Sequence, residues 1–197
     1  MANKKSFSFF SFLNRMKYIN RWGLMRNTMS ENIQEHSLQV AMIAHALAAI
    51  KNKYFDGDIN ADFVAVLGIY HDCSETITGD MPTPVKYFDP NISKAYNQVE
   101  EVAKNKLISM LPEGLKDIYT PLLFKDEENK ELFKYVKAAD RISAYIKCVE
   151  EEKAGNREFV KAGKSILRSI KKLQMPEVDF FLEHFLPSFK LSLDELD

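Results

Sequence analysis

Four residues in this 197-residue chain could together hold a cation: His36, the adjacent pair His71-Asp72, and Asp140. His36 shares a helical face with Val40, Ile43 and Leu47, and Asp140 belongs to the every-fourth-residue stripe Val136, Asp140, Ala144, Cys148, so both should point inward. The His71-Asp72 pair follows the apolar run Phe63 to Tyr70. Charged groups are seldom buried without compensation. Two imidazoles and two carboxylates make a mixed nitrogen and oxygen set that suits Mn, Co, Fe or Zn and leaves coordination positions for water and substrate. A cation open on one side lowers the pKa of bound water from about 15.7 toward about 7, which makes hydroxide available at neutral pH. Glu75, one turn beyond His71, is placed to orient that water or to pass a proton to a leaving group; the alternative is that it accepts a histidine N–H.

Other residues could meet a substrate. Arg21 offers a planar fork suited to phosphate, or else makes an ordinary surface ion pair. Trp22 either stacks on a base or sugar or packs in the core. The loop Thr78-Gly79-Asp80-Met81-Pro82-Thr83-Pro84 delivers polar groups at Thr78, Asp80 and Thr83 close to Glu75. His45, inside an all-apolar helix, reads as a core histidine. His184 lacks an acid pattern that would make it a ligand, and Cys73 reads as a small buried hydrophobe.

The elements that would position these groups are all helical. Apolar spacing predicts helices over Ser6–Ile19, from Ser30 or Ile33 to Asn52, Ala61–Ile77, Ile92–Leu111, Pro112–Leu123, Glu127–Ala154, Arg157–Leu173 and Glu177–Pro187. Gly23 is the expected left-handed stop of the first, Gly155-Asn156 of the sixth. Two prolines and a glycine within Thr78–Pro84 end the helix that carries His71. Gly68, one turn before Asp72, leaves room for something to approach closely. With no repeat, low-complexity segment or convincing series of strands, the fold class is all-α, one domain over residues 1–197.

Composition narrows the partners. Lys plus Arg number 27 against 28 for Asp plus Glu, a net charge of −1, which argues against a general binder of nucleic-acid polymers or anionic membranes. The two cysteines, Cys73 and Cys148, fit a reducing compartment and a cytoplasmic location. No apolar run reaches the roughly 18 residues of a spanning helix. The basic then apolar start from Met1 to Phe7 reads as the beginning of the first helix rather than a signal peptide.

The pattern His36…His71-Asp72…Asp140 resembles the ligand set of HD-domain metal-dependent phosphohydrolases. More narrowly, Arg21-Trp22, Glu35-His36-Ser37-Leu38-Gln39-Val40-Ala41, Tyr70 to Glu75 and Thr78 to Lys86 resemble the bacterial YfbR-type 5'-deoxynucleotidases. The likeness runs on through Ala144–Cys148 to Phe185–Phe189 and so covers nearly the whole chain. It implies an HD-domain helical bundle that uses one divalent cation to hydrolyse deoxyribonucleoside 5'-monophosphates to deoxyribonucleosides and orthophosphate. It further implies that His36, His71, Asp72 and Asp140 hold the cation, that Glu75 handles protons with Asp72 also catalytic, and that Arg21 orients the phosphate. Trp22, Asp80, Met81, Pro82 and Thr83 would contact the nucleotide, bordered by Asp72 and Asp140, with Asp80 near the sugar. The family is homodimeric, and it more often has a small residue such as alanine in place of Cys73.

Two other readings compete. A triphosphohydrolase or cyclic-nucleotide phosphodiesterase would need further cationic groups or ligand histidines, and the chain has four histidines in all. A helical binding module would keep a closed, structural metal site.

Overall fold

The computed structural model describes residues 6–86 and 88–196. Among these the chain is all-α: α1 (Phe9–Leu13), α2 (Ile33–Tyr54), α3 (Ala61–Tyr70), α4 (Glu75–Thr78), α5 (Thr83–Lys86), α6 (Pro90–Ser109), α7 (Lys116–Leu123), α8 (Leu132–Lys153), α9 (Val160–Lys171) and α10 (Pro176–His184), joined by short 3-10 turns. The only strand-like pairing among the described residues is an isolated antiparallel bridge between Asn20 and Asn32. The expected basic start at residues 1–5 lies outside the described residues.

Two buried helices organise the rest. Asn32 caps α2, its side chain accepting from the Glu35 N–H at 3.0 Å while the Glu35 carboxylate accepts from the Asn32 N–H at 3.4 Å. From that start α2 buries His36, Val40, Ala44, Leu47 and Ala48, and packs against α3 on one side and α8 on the other. The α2–α3 contact is close because Gly68 has no side chain: a Cβ there would lie 2.7 Å from Ala41 Cα. The approach that Gly68 permits is therefore that of another helix backbone. α8 contributes Ala138, Ala139, Ile142 and Ile146 to the same core, and α9 and α10 cover it from outside.

Several elements differ from the sequence reading. The first predicted helix is a short α1 followed by a 3-10 turn, Asn14–Tyr18. Its left-handed residue is Trp22, at φ 61°, and not Gly23. The helix predicted over Ala61–Ile77 is broken at His71–Ser74, where Cys73 N–H bonds Tyr70 O, Glu75 N–H bonds Asp72 O and Thr76 N–H bonds Cys73 O. These three-residue steps wind the chain more tightly than an α-helix, so residues three apart eclipse and Asp72 and Glu75 come onto one face. α8 begins at Leu132 because Asn129 closes a turn with Asp126 ahead of it, and ends at Lys153, two residues before the left-handed Gly155, whose φ is 85°. His45 is not a core histidine: half its side chain is exposed, with Nε2 3.5 Å from Asp62, because an alanine-rich helix face can meet solvent at little cost. His184 packs on Phe180, and Cys73 is fully buried with its thiol pushed up to about 12, chiefly by burial.

Candidate functional site

Three elements deliver the cation-binding candidates to one place. His36, one turn into α2, has no exposed surface; its Nε2 lies 3.2 Å from Asp140 Oδ1 on α8 and 3.7 Å from Asp72 Oδ2. His71 Nε2 lies 2.9 Å from Asp72 Oδ2, and the two imidazole rings are 5.2 Å apart. His36, His71 and Asp72 offer ligand atoms that all fall within 4.8 Å of one another. Asp140 stands just outside that triad and joins it through His36.

The tautomers decide what this cluster can bind. His71 Nδ1 lies 2.8 Å from the Gly68 carbonyl, which can only accept, so Nδ1 carries the hydrogen. In the neutral ring Nε2 then presents a lone pair. The Nε2 atoms of His36 and His71 are both buried without a hydrogen-bond partner, and both face carboxylates. Lone pairs opposed to carboxylate oxygens repel unless a positive charge stands between them: a proton, which Asp72 favours on His71, or a divalent cation, which fits that donor set. Without a cation, burial works against ionising Asp72, yet the neighbouring His71, with His36 and Arg21 beyond, holds its carboxyl well below the usual range. Burial and the Arg21 guanidinium lower His36, whereas Asp72 overcomes burial and raises His71.

Glu75 has the opposite character. Burial, reinforced by Asp72 and Asp80, pushes its pKa up to about 10, so it carries its proton at neutral pH, and its Oε2 has no hydrogen-bond partner. A buried protonated carboxyl next to a polar cluster can give a proton to a leaving oxygen.

Arg21 and Trp22 sit at the neck of the loop closed by the Asn20–Asn32 bridge, with Arg21 N–H bonding Glu31 O at 2.9 Å. The Glu31 carboxylate was not singled out by sequence. Its Oε2 accepts from Arg21 Nη1 at 2.7 Å and from the Trp22 indole N–H at 3.0 Å. This leaves Arg21 Nη2 turned toward Asp140, 3.9 Å away. Trp22 is half-buried against Phe159, ring centres 5.3 Å apart. Behind this neck, buried Glu151 accepts from the Thr28 N–H at 2.9 Å and its hydroxyl at 2.7 Å, and from Lys147 at 2.5 Å, pinning the loop to α8.

Asp80 follows the turn at Gly79 (φ 73°). Its carboxyl is raised by burial and by Asp72, with Arg21 and His36 opposing, which places it in the same electrostatic field. Met81 and Pro82 are half-buried and Thr83, at the start of α5, is exposed, so this stretch leads outward from the cluster.

Comparison with known proteins places the chain in a family. The family model described as "5'-deoxynucleotidase YfbR-like" matches residues 8–189. A 5'-deoxynucleotidase of Vibrio atlanticus (strain LGP32) is 53% identical over 192 residues, covering 98% of this chain and 99% of that protein. Among solved structures, an HD-domain phosphohydrolase from Listeria innocua superposes with a TM-score of 0.81 at 26% identity, over 92% of this chain and 88% of its own. A cyanophage S-2L HD phosphohydrolase, bound to dA and one catalytic Zn2+ ion, gives a TM-score of 0.63 at 18% identity over 90% and 96%, a likeness of fold.

Proposed function

The chain belongs to the YfbR-like 5'-deoxynucleotidase family, and on that premise we propose that it is a divalent-metal-dependent phosphomonoesterase converting deoxyribonucleoside 5'-monophosphates to deoxyribonucleosides and orthophosphate. The observation that carries the metal dependence is the pair of buried imidazole Nε2 atoms, without partners, aimed at carboxylates. His36, His71, Asp72 and Asp140 would hold one cation, of the Co, Mn or Zn kind. When bound, the cation offsets phosphoryl charge and acidifies water.

The remaining residues divide the work by chemistry. Arg21, fixed at one side by Glu31, keeps Nη2 to meet a phosphate oxygen. Glu75 holds a proton beside Asp72 and gives it to the departing 5'-oxygen as water adds to phosphorus, so that P–O cleavage releases a neutral sugar hydroxyl, the water's oxygen and both its hydrogens leave with the phosphate, and Glu75 is left as carboxylate. Trp22 supplies an apolar face for the nucleoside, and Asp80 with Met81, Pro82 and Thr83 forms the wall on the sugar side. A wall of this kind disfavours a ribose hydroxyl that finds no partner there. We further propose a homodimer working in the cytoplasm. Among the described residues no helix is long and apolar enough to cross a membrane.

The test strips the protein with a chelator, restores Co2+, Mn2+ or Zn2+ singly, and measures orthophosphate from matched ribo- and deoxyribonucleoside monophosphates. Metal-dependent release favouring the deoxy substrates is expected. Equal turnover of both sugars, or pyrophosphate or triphosphate released from triphosphates in preference, would reject the proposal. Sedimentation gives the oligomeric state.

A further inference from the structure

We propose that Gln39 and Ser143 form a hydrogen-bond relay that fixes the tautomer of His36 and thereby sets how tightly the cluster holds its cation. This rests on the metal site proposed above and concerns two residues outside it.

The number of hydrogens available fixes how the three side chains bond. Ser143, on α8 and fully buried, places its hydroxyl 3.0 Å from His36 Nδ1 and 2.6 Å from the amide oxygen of Gln39. A hydroxyl has one hydrogen, and an amide oxygen can only accept. The Ser143 hydrogen therefore goes to Gln39, and the bond to His36 must be donated by the imidazole. That puts the ring hydrogen on Nδ1 and leaves the Nε2 lone pair directed at Asp140 and Asp72. The charge on the other side points the same way: Glu31 Oε1 lies 3.9 Å from Nδ1 and favours an N–H there. His71 reaches the same tautomer through the Gly68 carbonyl, but a backbone acceptor is fixed whatever the side chain. His36 depends on two side chains, more than 100 positions apart in sequence.

Removing the relay leaves the ring free to place its hydrogen on Nε2, where it would bond Asp140 and block the cation. Partners of this kind typically contribute 10- to 100-fold, roughly, in metal affinity. Ser143→Ala removes the acceptor for Nδ1–H. Gln39→Leu, on a half-buried side chain, removes the sink for the hydroxyl hydrogen and tests the relay without changing the fully buried position. Ser143→Thr keeps the hydroxyl.

The experiment measures Co2+, Mn2+ and Zn2+ affinity of the metal-free proteins by competition with a chromophoric chelator, and reads the His36 tautomer from ring nitrogen NMR. In the wild type the ring should carry its hydrogen on Nδ1. Ser143→Ala should bind metal about 10- to 100-fold more weakly, Gln39→Leu should weaken it in the same direction with mixed tautomer signals, and Ser143→Thr should return close to wild type. A wild-type ring with its hydrogen on Nε2 would overturn the relay, as would unchanged affinity in both Ser143→Ala and Gln39→Leu. A wild-type protein that binds none of the three metals would instead reject the metal site itself and the relay with it.

Discussion

Replacing Gly68 by alanine probes how closely the two ligand-bearing helices must approach. The added Cβ would lie 2.7 Å from Ala41 Cα, 3.0 Å from its nitrogen and 3.3 Å from its Cβ. Carbon–carbon contacts settle at about 3.5–4.0 Å, so α2 and α3 would have to part by roughly 1 Å. The obstacle is backbone and cannot rotate away, so overpacking of about 1–3 kcal/mol opposes the gain of up to about 1 kcal/mol that alanine brings inside a helix. With the full gain the net expectation is a loss of about 0–2 kcal/mol in the metal-free protein, read from urea unfolding. Function should suffer more than stability. His36 rides on α2 while His71-Asp72 follows α3, and metal–ligand distances tolerate only about 0.2 Å. Cation affinity should therefore fall at least about tenfold, equivalent to about 1.4 kcal/mol. Gly114→Ala, where a Cβ meets nothing within 4 Å, is the control and should change stability by less than about 0.5 kcal/mol. A Gly68→Ala protein as stable as wild type with undiminished cation affinity would refute the close-approach argument.

Two further perturbations separate chemistry from scaffold. Glu75→Gln keeps the shape but removes the transferable proton, so kcat should drop about 10²- to 10⁴-fold while chelator competition shows the cation still bound; near-normal turnover would remove Glu75 from proton transfer. Glu151→Gln strips buried Lys147 of its counter-charge and should cost about 3 kcal/mol in urea unfolding. Burial opposes charge on Glu151, but hydrogen bonds from Lys147, Thr28 and Asn156 hold its pKa at about 2. A depressed carboxyl stabilises the fold above its unfolded pKa and loses that contribution on acidification. The difference between wild type and Glu151→Gln should thus be constant above about pH 5 and shrink between about pH 4.5 and 2; a pH-independent difference would count against the pairing.

What the sequence made legible was whatever helical periodicity encodes. The inward turn of His36 followed from its apolar neighbours three and four positions away, and the all-α fold from the same spacing, whereas Asp140 reaches the cluster with its side chain still partly exposed. The break at His71–Ser74 was not legible, because its three-residue hydrogen bonds leave no compositional mark in a stretch that remains helix-like. Nor was Trp22's left-handed backbone, since Gly23 beside it is the residue that ordinarily adopts that conformation. Glu31, Ser143, Lys147 and Glu151 escaped notice for another reason. In a sequence a buried, paired polar residue looks the same as a solvated one, and Ser143 and Glu151 find partners more than 100 residues away. The one available signal was a polar residue on a helix face otherwise apolar: Ser143 lies between Ala139 and Ile146, on the side that α8 buries.

The same residues explain how a site proposed to bind phosphate can be lined with acids. Asp72 disfavours ionisation of Glu75, Asp80 and Asp140, Asp80 adds to the effect on Glu75, and Arg21, the guanidinium among them, already shares its charge with Glu31. A phosphate dianion brought into that field unaided would meet net repulsion, which at such short range and partial burial is weakly screened by salt. Part of the crowding is relieved by the upward shift of Glu75, which burial and the neighbouring acids disfavour as a carboxylate. The remainder calls for positive charge at the point where the two unpartnered imidazole nitrogens face Asp72 and Asp140. On this electrostatic ground a cation between them would reconcile the acids with the phosphate, and the raised carboxyl of Glu75 is the group proposed above to protonate the leaving oxygen.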